Sequence, residues 1–184
     1  PGMGPDETDG NSILDLADID AGFTTGLRAA GIESVDLIGF DACLMASYEV
    51  ASVMAEHGDV MVASSELVPG HGWDYRVLAA LVDQPEMTAE ELGRRIVDGY
   101  AAQAAASGSD EEITMSLVDL RAMSGLEAAL AALAQPLLDE PAIAAPILAR
   151  AQAAALKYAP NPDPSIDSFH VDLGQLAALL GASD

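Results

Sequence analysis

The chain has 184 residues, with 7 basic and 30 acidic side chains, so its formal net charge is −23 when the three histidines are neutral. Nucleic acid is excluded as a partner, because affinity for DNA or RNA rests on basic side chains that displace counterions from phosphate. An anionic membrane surface is disfavoured for the same reason. No apolar run reaches the roughly 18 residues that a membrane span requires. Hydrophobic residues make up 51% of the chain, which predicts a folded domain with a substantial core.

Residues 1–12 are rich in glycine, proline and acidic side chains and are predicted to form an N-terminal loop. Either Asn11 or Ser12 is expected to cap a short helix or to begin an extended turn. A helix is predicted over residues 20–30. Gly31 is expected to end it, because glycine is the favoured residue just beyond a helix C-terminus.

A strand–helix–strand unit is predicted next. Residues 34–43 form an almost unbroken apolar run, which is typical of a parallel strand buried on both faces. The segment 44–58 has helical spacing and ends in Gly58, which is expected to be its C-terminal glycine. A second strand is predicted at residues 59–67.

The rest of the chain continues to alternate between helices and strands. The predicted elements are a turn-rich loop at 68–75, helices at 75–83 and 88–106, a strand at 111–120, a helix from Ser124 to about Gln135, a proline-broken helical arm over 137–157, a loop at 159–164, and a final short strand and helix. This alternation predicts an α/β fold, a three-layer α/β/α sandwich with a mostly parallel sheet. Reactive side chains in such sheets gather at the carboxyl ends of the strands.

Cys43, the only cysteine, follows the first buried strand at its carboxyl end. A single cysteine excludes an internal disulfide and a cysteine-based metal cluster. One interpretation is a nucleophile whose thiol meets the free amide groups at the N-terminus of the following helix, which favour the thiolate. The other is a small buried apolar residue, a common role for a lone cysteine.

The segments DLIGFDACLMASYEVA (residues 36–51) and DVMVASSELVPGHGWDY (residues 59–75) resemble the catalytic core of the clostripain-like cysteine peptidases of the caspase-like clan. Similarity extends more weakly to residues 169–176. The resemblance implies a caspase-like peptidase domain over residues 13–184, in which Cys43 attacks the scissile carbonyl and forms an acyl-enzyme. Members of this family cleave after Arg or Lys, so the implied substrates are polypeptides with a basic residue at P1, just before the scissile bond.

The resemblance also assigns the residues that bind the substrate. Asp41 matches the acidic residue at the base of the S1 pocket, where a carboxylate pairs with the basic side chain of the substrate; the alternative is a turn residue that caps the next helix. Trp73 is expected either to form a wall of that pocket or to pack within the loop. His71 stands where relatives carry an acidic or small residue lining the pocket, a departure that puts strong selection for basic residues in question.

The family's catalytic histidine precedes a glycine upstream of the nucleophile, and no such pair precedes Cys43 in this chain. Its three histidines all follow Cys43. His57 is expected at the end of the next helix, His71 in a loop where it either packs or approaches Cys43, and His170 in a structural position. The catalytic histidine is therefore expected from an upstream segment, carried on an associated light chain.

The chain is accordingly expected to be the heavy-chain-like portion of a zymogen, either a natural heavy chain or a truncated fragment, and to be inactive alone. No cofactor is expected for the chemistry. The acidic side chains near the N-terminus either form a solvated face or bind Ca²⁺, although they lack a known calcium-loop spacing; they are Asp6, Glu7, Asp9, Asp15, Asp18 and Asp20. The alternative function is a catalytically inactive caspase-like domain for binding or surface attachment.

Overall fold

The computed structural model describes residues 2–111, 113–159 and 170–181. The chain divides into two compact units, residues 1–123 and residues 124–184. The first unit contains the β-sheet and both segments that resemble the peptidase core.

The N-terminal segment forms an antiparallel hairpin, so the prediction of a loop over residues 1–12 is wrong. Strand β1 (Gly2–Asp6) pairs with strand β2 (Ser12–Asp15). Gly10 and Asn11 both have left-handed backbones, with φ of 64° and 61°, a conformation that glycine and asparagine adopt at low cost. This turn returns the chain onto itself although the segment is rich in residues that strands usually avoid.

Helix α1 (Leu16–Ala30) begins earlier than predicted because Asp15 caps it. The Asp15 side chain accepts a hydrogen bond from the Asp18 backbone amide, and the Asp18 side chain accepts one from the Asp15 amide. This reciprocal capping satisfies two amides of the first turn. The predicted end at Gly31 is confirmed, since Gly31 adopts the left-handed conformation with φ of 70°.

The central sheet of the described residues has the strand order β3–β4–β5. Strand β3 (Val35–Gly39) lies parallel to β4 (Gly58–Ala63), and β5 (Ser116–Asp119) lies antiparallel to β4. Helix α2 (Tyr48–Met54) connects β3 to β4, which confirms the predicted βαβ unit. The sheet is therefore mixed.

Gly58 does not end a helix as predicted. Helix α2 ends at Met54, a turn follows, and Gly58 is the first residue of β4. A Cβ atom at Gly58 would lie 2.9 Å from the Ile38 side chain on the neighbouring strand. Glycine is needed here for close strand packing, a requirement that a helical pattern alone does not reveal.

Helices cover both faces of the sheet, which confirms the three-layer arrangement. Met61 and Ala63 face the core formed with α1 and α2. On the opposite face, helix α4 (Ala89–Ser107) packs over Val62 and Leu117, which a Cβ atom at Gly93 would meet at 3.3 and 2.5 Å. Between β4 and α4 the chain forms a 3₁₀ turn (Tyr75–Ala79) and a short helix α3 (Ala80–Asp83), close to the predicted positions.

The second unit is helical among the residues described. Helix α5 (Met123–Asp139) runs through Pro136, past its predicted end, and Ser124 lies inside it rather than capping it. Helices α6 (Pro141–Ala154) and α7 (Leu173–Gly181) follow. In place of the predicted final strand, Lys157 and Val171 form a single antiparallel bridge. The predicted loop at 159–164 lies, apart from its first residue, outside the described residues. None of the described helices has the length and apolarity to cross a membrane.

Two helical glycines give a test of the α4–sheet packing. Gly93→Ala should destabilise the chain by about 1–2 kcal/mol, because the added methyl overpacks the contact with Leu117 and outweighs the gain in helix propensity. Gly26→Ala in α1 has open space around the new methyl and should stabilise the chain by about 0.5–1 kcal/mol. Urea unfolding of both variants measures the two changes. Equal effects would contradict the packing described here.

Candidate active site

Cys43 lies in the connection between β3 and α2, at the carboxyl end of β3. This connection runs alongside the end of β4 and the residues that follow that strand. The Phe40 amide donates to the Val62 carbonyl at 2.9 Å. The Leu44 amide donates to the Glu66 carbonyl at 3.3 Å, and the Ala46 amide donates to the Ser64 carbonyl at 2.9 Å. Leu44 has a left-handed backbone with φ of 62°, which is uncommon for a residue with a side chain. The chain therefore makes a sharp turn immediately after the candidate nucleophile.

The Cys43 side chain is exposed, so the interpretation as a buried apolar residue is wrong. The predicted contact with a helix N-terminus is also wrong, because α2 begins at Tyr48 with Ser47 as its capping residue. The first turn of the helix lies beyond the sharp bend at Leu44. The donor to the sulfur is instead the Val68 backbone amide, at 3.2 Å from Sγ.

Asp41 is held by the loop that follows β4. Its Oδ2 atom accepts hydrogen bonds from the Trp73 amide and the Tyr75 hydroxyl, both at 3.0 Å. Its Oδ1 atom is buried and has no hydrogen-bond partner among the described residues. Because Ser47 caps α2, the helix-capping alternative for Asp41 is wrong. One of the two carboxylate oxygens is thus without a partner in the described part of the chain.

The loop approaches Asp41 closely because two glycines leave room. Gly72 has a left-handed backbone with φ of 60°, and a Cβ atom there would lie 2.5 Å from Asp41 Oδ2. A Cβ atom at Gly39 would lie 2.6 Å from the Trp73 ring. Trp73 also lies 6.2 Å from the Tyr75 ring, and its indole N–H is buried with no partner among the described residues. Trp73 therefore packs within the loop and next to Asp41 at the same time.

His71 anchors the loop to α4. Its Nδ1 lies 2.8 Å from the Gly72 carbonyl and its Nε2 lies 2.9 Å from the Ser109 hydroxyl. Because a carbonyl oxygen only accepts, the contact with Gly72 is made by a protonated Nδ1. The Gln103 side chain also donates to the Gly72 carbonyl, at 2.9 Å. Nδ1 has its partner within the loop and Nε2 has its partner at Ser109, just beyond the end of α4, which agrees with the packing alternative.

Of the other two histidines, His57 packs against α1. His57 is buried, lies 2.6 Å through Nε2 from Asp20 Oδ1, and stacks on Phe23 with ring centroids 5.4 Å apart. It does not end α2 as predicted, because the helix ends at Met54 with Ala55 as its capping residue and His57 lies in the turn that follows. The His170 carbonyl accepts a hydrogen bond from the Tyr158 amide in the second unit. No histidine ring in the described residues forms a hydrogen bond to Cys43.

Sequence reasoning missed two tyrosines near Asp41. Tyr75 donates to Asp41, and Tyr100 on α4 is 1% exposed with no partner for its hydroxyl among the described residues. Burial, followed by the negative charges of Asp41 and Cys43, raises the pKa of Tyr100. A signal for Tyr100 was present, because it shares a helix face with Ile96 and Ala104 at spacings of four, and a tyrosine on a buried face normally needs a partner.

The acidic residues near the N-terminus are distributed over the hairpin and α1. Asp6 binds Thr8, Asp15 and Asp18 cap α1, and Asp20 pairs with His57. Within the described residues, no group of three or more histidine, cysteine or acidic side chains is arranged to hold a metal ion. Calcium binding stays a prediction.

Two loop glycines test the contact between the loop and Asp41. Gly72→Ala should destabilise the chain by about 1–3 kcal/mol, because the methyl is strained at positive φ and collides with the Asp41 carboxylate. Gly70→Ala has open space and should change stability by less than about 0.5 kcal/mol. Thermal unfolding, followed by the fluorescence of Trp73, compares the variants. Similar melting temperatures would contradict the contact.

The raised pKa of Tyr100 also predicts that the folded chain loses stability at alkaline pH. Because its pKa is raised in the folded chain, the unfolded chain loses the phenolic proton first, so the free energy of unfolding should fall as the pH rises above about 10. Tyr100→Phe should show a smaller fall between pH 9 and pH 11, values set by the ordinary tyrosine pKa of about 10. The exposed Tyr48 provides the control variant Tyr48→Phe. Identical pH profiles for Tyr100→Phe and the unsubstituted chain would contradict the assignment.

Comparisons with known proteins agree with this architecture. The model of the Clostripain family matches residues 2–173. The fold is similar to a cysteine protease from B. fragilis, with 18% identity, a TM-score of 0.60, and coverage of 96% of this chain and 68% of that chain. A secreted cysteine protease from Bacteroides thetaiotaomicron, solved with an irreversible peptide inhibitor, has 23% identity, a TM-score of 0.57, and coverage of 76% and 39%.

A clostripain from Bacteroides thetaiotaomicron ATCC 29148, solved with the peptide inhibitor BTN-VLTK-AOMK, has 18% identity and a TM-score of 0.51, with coverage of 83% of this chain and 55% of that chain. The chain thus spans between 39% and 68% of the lengths of these three relatives. No curated protein matched the chain. Since the family model covers nearly all of the residues, the chain belongs to the Clostripain family of cysteine peptidases.

Proposed function

We propose that this chain is the nucleophile-bearing part of a cysteine endopeptidase that cleaves polypeptides after Arg or Lys. The observation that carries the proposal is the pairing of an exposed thiol with a half-satisfied carboxylate. Cys43 and Asp41 both lie at the carboxyl end of β3, where the loop after the parallel strand β4 meets them.

Cys43 supplies the nucleophile. Its thiolate sulfur attacks the scissile carbonyl carbon, the amine leaves with a proton, and a thioester remains until water hydrolyses it. The Cys43 backbone amide is the proposed donor to the oxyanion that forms during the attack. The exposed sulfur accepts a hydrogen bond from the Val68 amide, at 3.2 Å.

Asp41 supplies the selection for a basic residue. Its Oδ1 atom has no partner among the described residues, and a buried carboxylate oxygen forms strong charge-assisted hydrogen bonds with an ammonium or a guanidinium group. The inhibitor bound to the related clostripain carries a lysine before its AOMK group, as its name VLTK-AOMK states. This agrees with a basic residue at P1. In the structure, Oδ1 is enclosed, so the substrate side chain reaches it when the Trp73–Tyr75 segment shifts.

The histidine that transfers protons is proposed to come from residues outside these 184, on an associated chain. His57 binds Asp20 through Nε2, and both ring nitrogens of His71 have partners other than Cys43. The chain also spans only part of each related structure. Without the histidine, turnover should be lower by about 10²–10⁴-fold.

Covalent labelling tests the proposed nucleophile. Peptidyl acyloxymethyl ketones with Arg, Lys or norleucine at P1 are reacted with the chain alone and with the polypeptide that its gene encodes directly upstream. The thiolate displaces the acyloxy group, and intact mass records the thioether. We expect Arg and Lys probes to label Cys43 when the upstream polypeptide is present, and Cys43→Ala to remain unlabelled.

Matched variants distinguish the proposed role of Cys43 as nucleophile from the proposed role of Asp41 in specificity. The Arg and Lys probes should label Asp41→Asn at least about tenfold more slowly, because the charge-assisted contact is lost. The rate of labelling by the norleucine probe should be unchanged. Equal labelling of Asp41→Asn by all three probes would overturn the assignment of Asp41. Absence of labelling in both forms of the protein would instead favour a non-catalytic binding domain. The lack of a histidine contact to Cys43 among the described residues also favours that alternative.

A further inference from the structure

We infer that the buried hydroxyl of Tyr100 is a second specificity-determining group, which binds the basic side chain together with Asp41 and favours a guanidinium over an ammonium group. The inference rests on the proposed function, because it names a further residue of the same substrate-binding site.

Two buried oxygens near the candidate nucleophile lack a partner in the part of the chain that the structure describes. Tyr100 is 1% exposed, and neither its hydroxyl nor Asp41 Oδ1 has a hydrogen-bond partner among the described residues. Buried polar atoms in native proteins are nearly always paired, so an unpaired atom calls for a specific explanation. Two such oxygens in one part of a fold point to an external group that satisfies both.

Tyr100 and Asp41 both lie against the loop that follows β4. The Tyr100 ring lies 6.1 Å from the His71 ring, and His71 is followed by Gly72, whose backbone lies against the Asp41 carboxylate. The charges of Asp41 and Cys43 both act on the phenol and, after burial, raise the pKa of Tyr100. The hydroxyl is therefore neutral at physiological pH and offers lone pairs to a donor.

The chemistry of the two oxygens selects the ligand. The carboxylate only accepts hydrogen bonds, and the phenol oxygen can accept as well. They are not hydrogen-bonded to each other, so one ligand must supply several donors that reach both. A guanidinium presents five N–H groups in a planar fork, whereas an ammonium is a compact point charge. The third unpaired group, the Trp73 indole N–H, is a donor and does not bind a cation.

Binding requires a movement that can be observed. Both oxygens are covered, and Asp41 Oδ2 is held by donors from the same loop, the Trp73 amide and the Tyr75 hydroxyl. A basic side chain gains access to Oδ1 as this loop shifts. Trp73 is the only tryptophan of the chain, so its fluorescence reports the event directly.

The test is a fluorescence titration of the chain with butylguanidinium and with butylammonium. We expect saturable binding of both probes, with the guanidinium bound more tightly. Tyr100→Phe should weaken butylguanidinium binding by about tenfold, the effect of one hydrogen bond to a charged group, and butylammonium binding by less than about threefold. Its melting temperature should equal or exceed that of the unsubstituted chain, because the variant removes only an unpaired buried hydroxyl.

Two further variants decide between the possible outcomes. Tyr48→Phe makes the same chemical change on an exposed side chain and should bind both probes normally. Asp41→Asn should lose the binding of both probes. If Asp41→Asn loses binding while Tyr100→Phe retains it fully, the inference is overturned and the proposed S1 site stands. A lower melting temperature and equal loss of both probes in Tyr100→Phe would show a structural role and also overturn the inference. No saturable binding by the unsubstituted chain would overturn both the inference and the proposed S1 site.

Discussion

The parallel pairing of β3 with β4 is the interaction on which the candidate site depends. Because the strands run in the same direction, the chain leaves both at one edge of the sheet. Residues 40–46 then continue alongside residues 62–66 through backbone hydrogen bonds. Cys43 and Asp41 are carried by the first of these segments, and the loop that contacts them follows the second. An antiparallel pairing would place the two segments at opposite edges and would separate the thiol from that loop.

The loop after β4 depends in turn on Asp41. The Trp73 amide and the Tyr75 hydroxyl converge on Oδ2, and His71 and Gln103 attach the preceding residues to each other and to α4. The same carboxylate is the proposed receptor for the substrate. On this proposal, a basic side chain meets an aspartate whose one oxygen already orders the loop and whose other oxygen has no partner among the described residues. Because the segment that covers Oδ1 also supplies both donors to Oδ2, substrate binding at Oδ1 is coupled to the position of Trp73 and Tyr75.

Local signals in the sequence predicted much of this arrangement, and the failures share a physical cause. Residues 34–43 predicted β3 because a strand buried on both faces leaves an apolar run, and Gly31 marked the helix end because it takes a left-handed backbone. Gly58 was misassigned because its requirement comes from Ile38 on another strand. The hairpin of β1 and β2 rests on backbone pairing in a segment whose composition suits a loop. Contacts between distant residues decided each of these cases.

The site shows the same division. Cys43 and Asp41 are identified through a resemblance carried by adjacent residues, whereas the Val68 amide, Tyr75 and Tyr100 come near them only through the fold.

Elsewhere in the described residues, polar groups at the ends of α1 and α4 have hydrogen-bond partners. Reciprocal capping begins both helices, and Gly31 and Gly108 end them. In the described residues, the three buried side-chain atoms without partners all belong to Asp41, Trp73 and Tyr100. Each costs about 1–3 kcal/mol, which is large beside a typical folding stability of roughly 5–15 kcal/mol. Natural proteins tolerate such costs chiefly at functional sites. All three side chains lie in or against the loop that follows β4, and this concentration is an energetic argument, separate from the resemblance, for ligand binding there.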